Sequence, residues 1–207
     1  MKKIKKYTLI LLIFLFGGFT LPAQTADEGA SLGIRLGVNI SNYNLKESSL
    51  KTAPGFNLGI FSSAALSKCF SLQPEINLNV QNSEVTVNNE LSNAKFNVML
   101  SYVELVISGR MNFDKLYVQA GPYISYLANS NISDQSKVNE VVSRKNFYDI
   151  DWGLIYSGGI QLKRWDIGLR YNHGLYEIGK PSTEDNNLNI FRNAKTSSLQ
   201  LYAGYYF

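Results

Sequence analysis

Histidine and cysteine are almost missing from this 207-residue chain, which carries one of each, His173 and Cys69. A single cysteine makes no intrachain disulfide, and a lone histidine with one distant thiol makes no metal cluster. Cys69 falls in a short turn without a catalytic partner and reads as a tolerated turn residue. Apolar runs of spanning length are also missing: Leu9 to Phe16 is too short to cross a bilayer well. No long amphipathic helix, linker or low-complexity tract breaks up the rest. Gly158-Gly159 lies inside an extended segment without a phosphate-loop context and reads as backbone bending, so no cofactor is expected. A basic surface is missing as well, although the formal net charge is +4 and the pI about 9.0. Lys2, Lys3, Lys5 and Lys6 account for that excess. Of 20 basic residues the other 16 balance 16 acidic ones, which gives no reason to expect a nucleic-acid partner.

What is present begins with those lysines. A charged start, the Leu9 to Phe16 apolar run and Leu21-Pro22-Ala23 read as a secretory signal peptide over residues 1–23, with an uncleaved anchor as the alternative. No cysteine lies near the cleavage region, which argues against a lipid anchor. Residues 24–207 then form one domain.

That domain is written in period two. Leu32, Ile34, Leu36, Val38 and Ile40 alternate with Gly33, Arg35, Gly37 and Asn39. Phe70, Leu72, Pro74, Ile76, Leu78 and Val80 alternate with a wholly polar set that includes Glu75, and Pro74 there calls for an edge or a bulge. Strands are expected near 30–41, 55–66, 70–81, 96–110, 116–128, 148–162, 165–175 and 197–207. The fourth is out of phase with itself. Phe96, Val98 and Leu100 share one parity and Val103, Leu105 and Ile107 the other, so an irregularity is expected near Ser101.

The connections alternate long and short, with long polar stretches at 42–54, 83–95, 129–147 and 176–195. An up-and-down antiparallel barrel sorts its loops in this way, long ones at one rim and short turns at the other. The last strand points Leu199, Leu201, Ala203, Tyr205 and Phe207 to one side, and a face apolar to its last residue suits lipid rather than a soluble core. Outward Phe70, Trp165 and Phe207 fall near the short turns and Phe56, Tyr126 and Trp152 near the long loops, the two girdles of a membrane barrel. The expected fold is therefore all-β, an eight-stranded antiparallel up-and-down transmembrane β-barrel in the bacterial outer membrane. Outer-membrane lipid is its first partner, and the barrel-assembly machinery would take it up through the terminal strand.

G-I-R-L-G-V-N-I-S-N-Y at 33–43, F-S-L-Q-P-E at 70–75, Y-V-E-L at 102–105, A-G-P-Y at 120–123 and G-L-R-Y-N-H-G-L at 168–175 together resemble the PorT-like outer-membrane β-barrel family of Bacteroidetes. The resemblance spans nearly the whole mature chain and implies the same fold and location. Its family name implies a tie to protein secretion. Where that family tends to have proline after Y-L-E-I, this chain has Val106, a departure that concerns strand geometry.

Four charged residues point inward at about one level: Arg35, Glu75, Glu104 and Arg170. Charges in a narrow lumen must pair, and an eight-stranded lumen is just filled by side chains. They read as a structural plug; a narrow ion path is the alternative, which a fully paired network would block. His173 points toward lipid near the outer rim. A His/Ser/Glu hydrolase built with Glu177 lacks a serine placed with oxyanion donors, so neither catalysis nor metal ligation is expected. The role expected is a non-enzymatic scaffold or accessory protein, with the outer loops open to envelope or secretion-system proteins.

Overall fold

Alternating apolar and polar residues give a strand two chemically distinct faces, and closing the sheet disposes of both edges at once. A computed structural model describes residues 31–43, 49–89, 92–134, 147–179 and 194–207. Its strands are β1 (Ser31–Tyr43), β2 (Ser49–Ala65), β3 (Phe70–Asn89), β4 (Ser92–Phe113), β5 (Leu116–Asp134), β6 (Ile150–Leu162), β7 (Trp165–Glu177) and β8 (Lys195–Tyr206). Each pairs antiparallel with the next, and β8 returns to β1 with Gly33 opposite Tyr206 and Tyr43 opposite Thr196, closing an eight-stranded barrel. The signal-peptide reading, the first residue of the expected first strand and the centres of the long loops lie outside the described residues.

The faces follow the pattern. Leu32, Leu36, Val38, Leu58, Ile107, Val118, Leu169 and Leu201 all stand exposed on the outside, while Arg35, Glu75, Arg110, Asp166 and Arg170 are buried within. So continuous an exposed apolar band is far beyond what a water-facing monomer carries, and lipid is the solvent that suits it. All six girdle aromatics are exposed outward, Trp165 edge-on to Tyr205 at 4.9 Å. The short turns carry Asp114 and Lys163 at φ of 56° and 55°.

The structure corrects several expectations. Residues 83–95 are mostly not a loop: β3 and β4 stay paired from Phe70↔Met111 to Asn89↔Ser92 and form one long hairpin. Likewise β2 begins at Ser49 and β5 runs to Asp134. Polar composition does not distinguish a loop from a paired polar hairpin. Pro74 is at neither an edge nor a bulge. It pairs with Ile107 of β4, and the ladder to β2 passes over it, from Phe61↔Glu75 to Ala64↔Leu72, without a change of register. The irregularity near Ser101 is present, but the extra residue, Ala128, belongs to β5. β4 keeps its phase, so Val98 and Leu100 turn into the lumen and are buried there. Gly159 also has a packing role: a Cβ there would strike the Ile167 carbonyl and lie 2.7 Å from the Tyr117 hydroxyl.

Candidate functional site

Among the described residues the lumen is where the fold gathers chemistry, and it is layered. Nearest the short-turn rim, Arg110 on β4 meets Asp166 at the start of β7. Its Nη1 donates to Asp166 Oδ2 at 2.5 Å and to the Tyr206 hydroxyl at 2.8 Å. Nη2 donates to Gln161 Oε1 at 2.8 Å and to Asp166 Oδ1 at 3.2 Å, and Nε donates to Asn112 at 2.8 Å. The guanidinium lies 3.7 Å from the centre of the Tyr117 ring. Every nitrogen is therefore occupied, as a buried guanidinium requires.

One step outward is an aromatic floor. The Tyr117 and Tyr202 hydroxyls lie 2.6 Å apart across the lumen. They meet over Gly159 and Gly168, where a Cβ would strike one or both phenols. Arg35 stacks on Tyr202 at 4.3 Å and faces Phe61 at 5.0 Å.

Above that floor, Glu75 is a hub. Arg35 Nη1 donates to its Oε2 at 2.7 Å, and Arg170 grips both oxygens, at 2.7 and 2.8 Å. Gln73, Gln119 and Asn77 add hydrogen bonds at 3.0, 2.9 and 3.3 Å. Gln119 also donates to the Ser108 hydroxyl. One carboxylate between two arginines, with six donors on it, is a rigid cross-brace through the lumen.

Three of the four residues expected at one level, Arg35, Glu75 and Arg170, meet here. Glu104 does not join them. It faces Asn77, one row farther out than Glu75, and accepts from Asn77 at 3.2 Å and from Asn172 at 3.0 Å. Strand shear produces this offset, because residues equally far from the rim on different strands do not share a level. Level with Glu75, the β4–β6 wall carries an apolar patch, with Val106 and Ile155 buried beside Tyr123. Leu100 and Leu127 are completely covered.

The sequence reading missed two parts of this site. Arg110 and Asp166 are both inward residues beside short turns, and that shared position was the signal for pairing them. Asp151 is buried on β6, with Tyr123 donating to its Oδ2 at 3.2 Å. Its parity alone marks it as inward.

The hydrolase-type residues are not assembled. His173 is exposed on the outer face, stacked on Tyr171 at 6.1 Å, and its cross-strand neighbours are Leu154 and Ser197. Glu177 is exposed opposite Lys195, and Cys69 is an exposed free thiol.

Comparisons with known proteins agree with this architecture. The outer membrane protein OprG from Pseudomonas aeruginosa is similar over 87% of this chain and 97% of its own, with a TM-score of 0.50 and 13% identity, a likeness of fold. Neisserial surface protein A matches over 87% of this chain and all of its own at 13% identity, TM-score 0.49. Ail of Yersinia pestis matches over 86% and 97% at 15% identity, TM-score 0.45. No curated protein matches the sequence significantly. The profile of the family described as outer membrane protein beta-barrel domain matches residues 22–178. With a closed eight-stranded barrel, an apolar outer band and a family profile over most of its length, the chain belongs to the outer membrane protein beta-barrel domain family and is a bacterial outer-membrane protein.

Proposed function

We propose that this protein is a non-enzymatic scaffold or accessory protein of the outer membrane, a PorT-like barrel of Bacteroidetes type whose outer loops engage envelope or secretion-system partners. The observation that carries the reading is the Glu75 hub. Arg35 and Arg170 close on one carboxylate from β1 and β7 while Gln73 and Gln119 fill the remaining directions. A lumen braced in this way is a plug, and a plugged barrel acts through its surface. Residues 1–23 serve as the secretory leader in this reading. The outward side chains of β8, Leu199, Leu201, Ala203, Tyr205 and Phe207, are what the assembly machinery engages during insertion.

Planar bilayers test the plug. Purified protein is expected to show no steady conductance above background, and Glu75→Ala, which frees both arginines, is expected to raise leakage. Steady single-channel openings from the unaltered protein would overturn the plug and favour a narrow channel instead. A lipid-modifying role would rest on His173 with Glu177 and a nearby serine; the ring stacks on Tyr171, and the hydroxyl of its cross-strand neighbour Ser197 donates to the Asn42 carbonyl at 3.3 Å rather than to the imidazole.

A further inference from the structure

The charges buried in the lumen do not balance. Among the described residues Arg35, Arg110 and Arg170 face Glu75, Asp166, Glu104 and Asp151, three cations against four carboxylates. The ion pairs use all three arginines on Glu75 and Asp166. Glu104 and Asp151 are thus both buried, 3% and 4% exposed, with no described cation bonded to either. Two such carboxylates are strongly disfavoured as bare anions, and each is neutralised by a proton or by a cation that joins them.

They are also close. Ser125 pairs with Glu104 on one side and with Asp151 on the other, so the three stand in one inward row across β4, β5 and β6. At about 4.8 Å between strands, the two Cα atoms are roughly 10 Å apart, a gap that two carboxylate side chains and one ion between them can fill.

A second observation is independent of the acids. Asn172 uses its Nδ2 to donate to Glu104, which holds its amide beside that carboxylate, and its Oδ1 makes no hydrogen bond among the described residues. Asn79, diagonal to Glu104 across β3 and β4, likewise has a free Oδ1, and so has Asp151. Asn79 and Asn172 are 2% and 4% exposed. Buried oxygens left without donors, around carboxylates left without cations, are the donor set of a hard cation.

We propose that Glu104, Asp151, Asn79 and Asn172 form a binding site for a divalent calcium-class cation in the outer half of the lumen. The two carboxylates offset the ion's two charges, so the single positive charge left over in the lumen stays on the Glu75 hub with its two arginines, and the amide carbonyls supply neutral oxygens of the kind calcium takes up in its six to eight ligands. The site stands directly outside the Glu75 plug, so bound cation ties β4 and β6 to β3 and β7.

The test uses the full mature chain, refolded in detergent free of lipopolysaccharide, with folding checked by the gel shift between boiled and unboiled samples. Equilibrium dialysis against Ca2+ is expected to give one ion per chain, and Tb3+ is expected to displace it and luminesce on tyrosine excitation, since Tyr123 lies against Asp151. Asp151→Asn and Glu104→Gln should each weaken uptake by roughly tenfold or more, whereas Glu177→Gln, on the outer surface, should leave it unchanged. Should a carboxylate variant fail to fold, Asn172→Ala carries the same test, because it removes an amide without releasing an arginine. No Ca2+ uptake by the unaltered chain at millimolar concentration, meaning that only water fills these positions, would overturn the proposal. So would uptake that survives all three lumen substitutions.

Discussion

Replacing Glu75 by glutamine puts the central brace to a quantitative test. The substitution keeps the shape of the side chain and removes its charge, leaving Arg35 and Arg170 buried without the carboxylate that bonds them both. It also turns one acceptor into a donor. If Oε1 becomes the amide nitrogen, it meets Arg170 Nη2, Gln119 and Gln73; if Oε2 does, it meets Arg35, Arg170 Nη1 and Asn77. Either way three donors confront a fourth. Breaking a buried ion pair by removing one partner destabilises by roughly 3–5 kcal/mol, and this carboxylate serves two partners, so the loss should fall at the upper end. At about 1.4 kcal/mol per decade, the ratio of folded to unfolded protein falls by roughly three orders of magnitude or more. Urea unfolding of the refolded barrel in detergent, followed by tryptophan emission, reads the change. Arg35→Met added to Glu75→Gln should restore part of the loss, since it removes one stranded cation. A loss below about 1 kcal/mol for Glu75→Gln alone would refute the reasoning, because it would mean that water already solvates the two guanidinium groups.

Gly168→Ala tests the packing beneath the hub. The added methyl would lie 2.5 Å from the Tyr117 hydroxyl and 2.7 Å from that of Tyr202, and overpacking of this kind should cost about 1–3 kcal/mol. The urea midpoint should recover in part when Tyr117→Phe removes the nearer oxygen. Cys69 tests orientation: the turn between β2 and β3 faces the periplasm, so a membrane-impermeant maleimide should label it only after the outer membrane is permeabilised. Labelling in intact cells would place the short turns outside and invert the barrel.

Much of the barrel was legible in the residues because a strand's side chains alternate with a fixed period and lipid tolerates only one kind of face. The assignment of Arg35, Glu75, Glu104 and Arg170 to the interior needed nothing more than parity. The fourth strand shows where this stops. Val98 and Leu100 are out of phase with Val103, Leu105 and Ile107, so a break in the strand was expected near Ser101, yet β4 continues in phase and carries them into an apolar patch of the lumen, while Ala128 of β5 absorbs the register shift. Apolarity does not distinguish lipid from a dry interior, since both exclude water. The hairpin of β3 and β4 beyond the barrel was hidden for the converse reason, as polar strands and polar loops are both solvated.

By itself the sequence determined the number of strands across the membrane, the face each presents to lipid and the rim at which the short turns lie, since these depend on local alternation and spacing. Tertiary structure alone decided which charges meet. Shear sets Glu75 between Arg35 and Arg170, moves Glu104 one row outward to Asn77 and Asn172, and brings Ser125 between Glu104 and Asp151. Such pairings depend on the heights of strands far apart in the chain, which the closure of the barrel sets and local sequence does not encode.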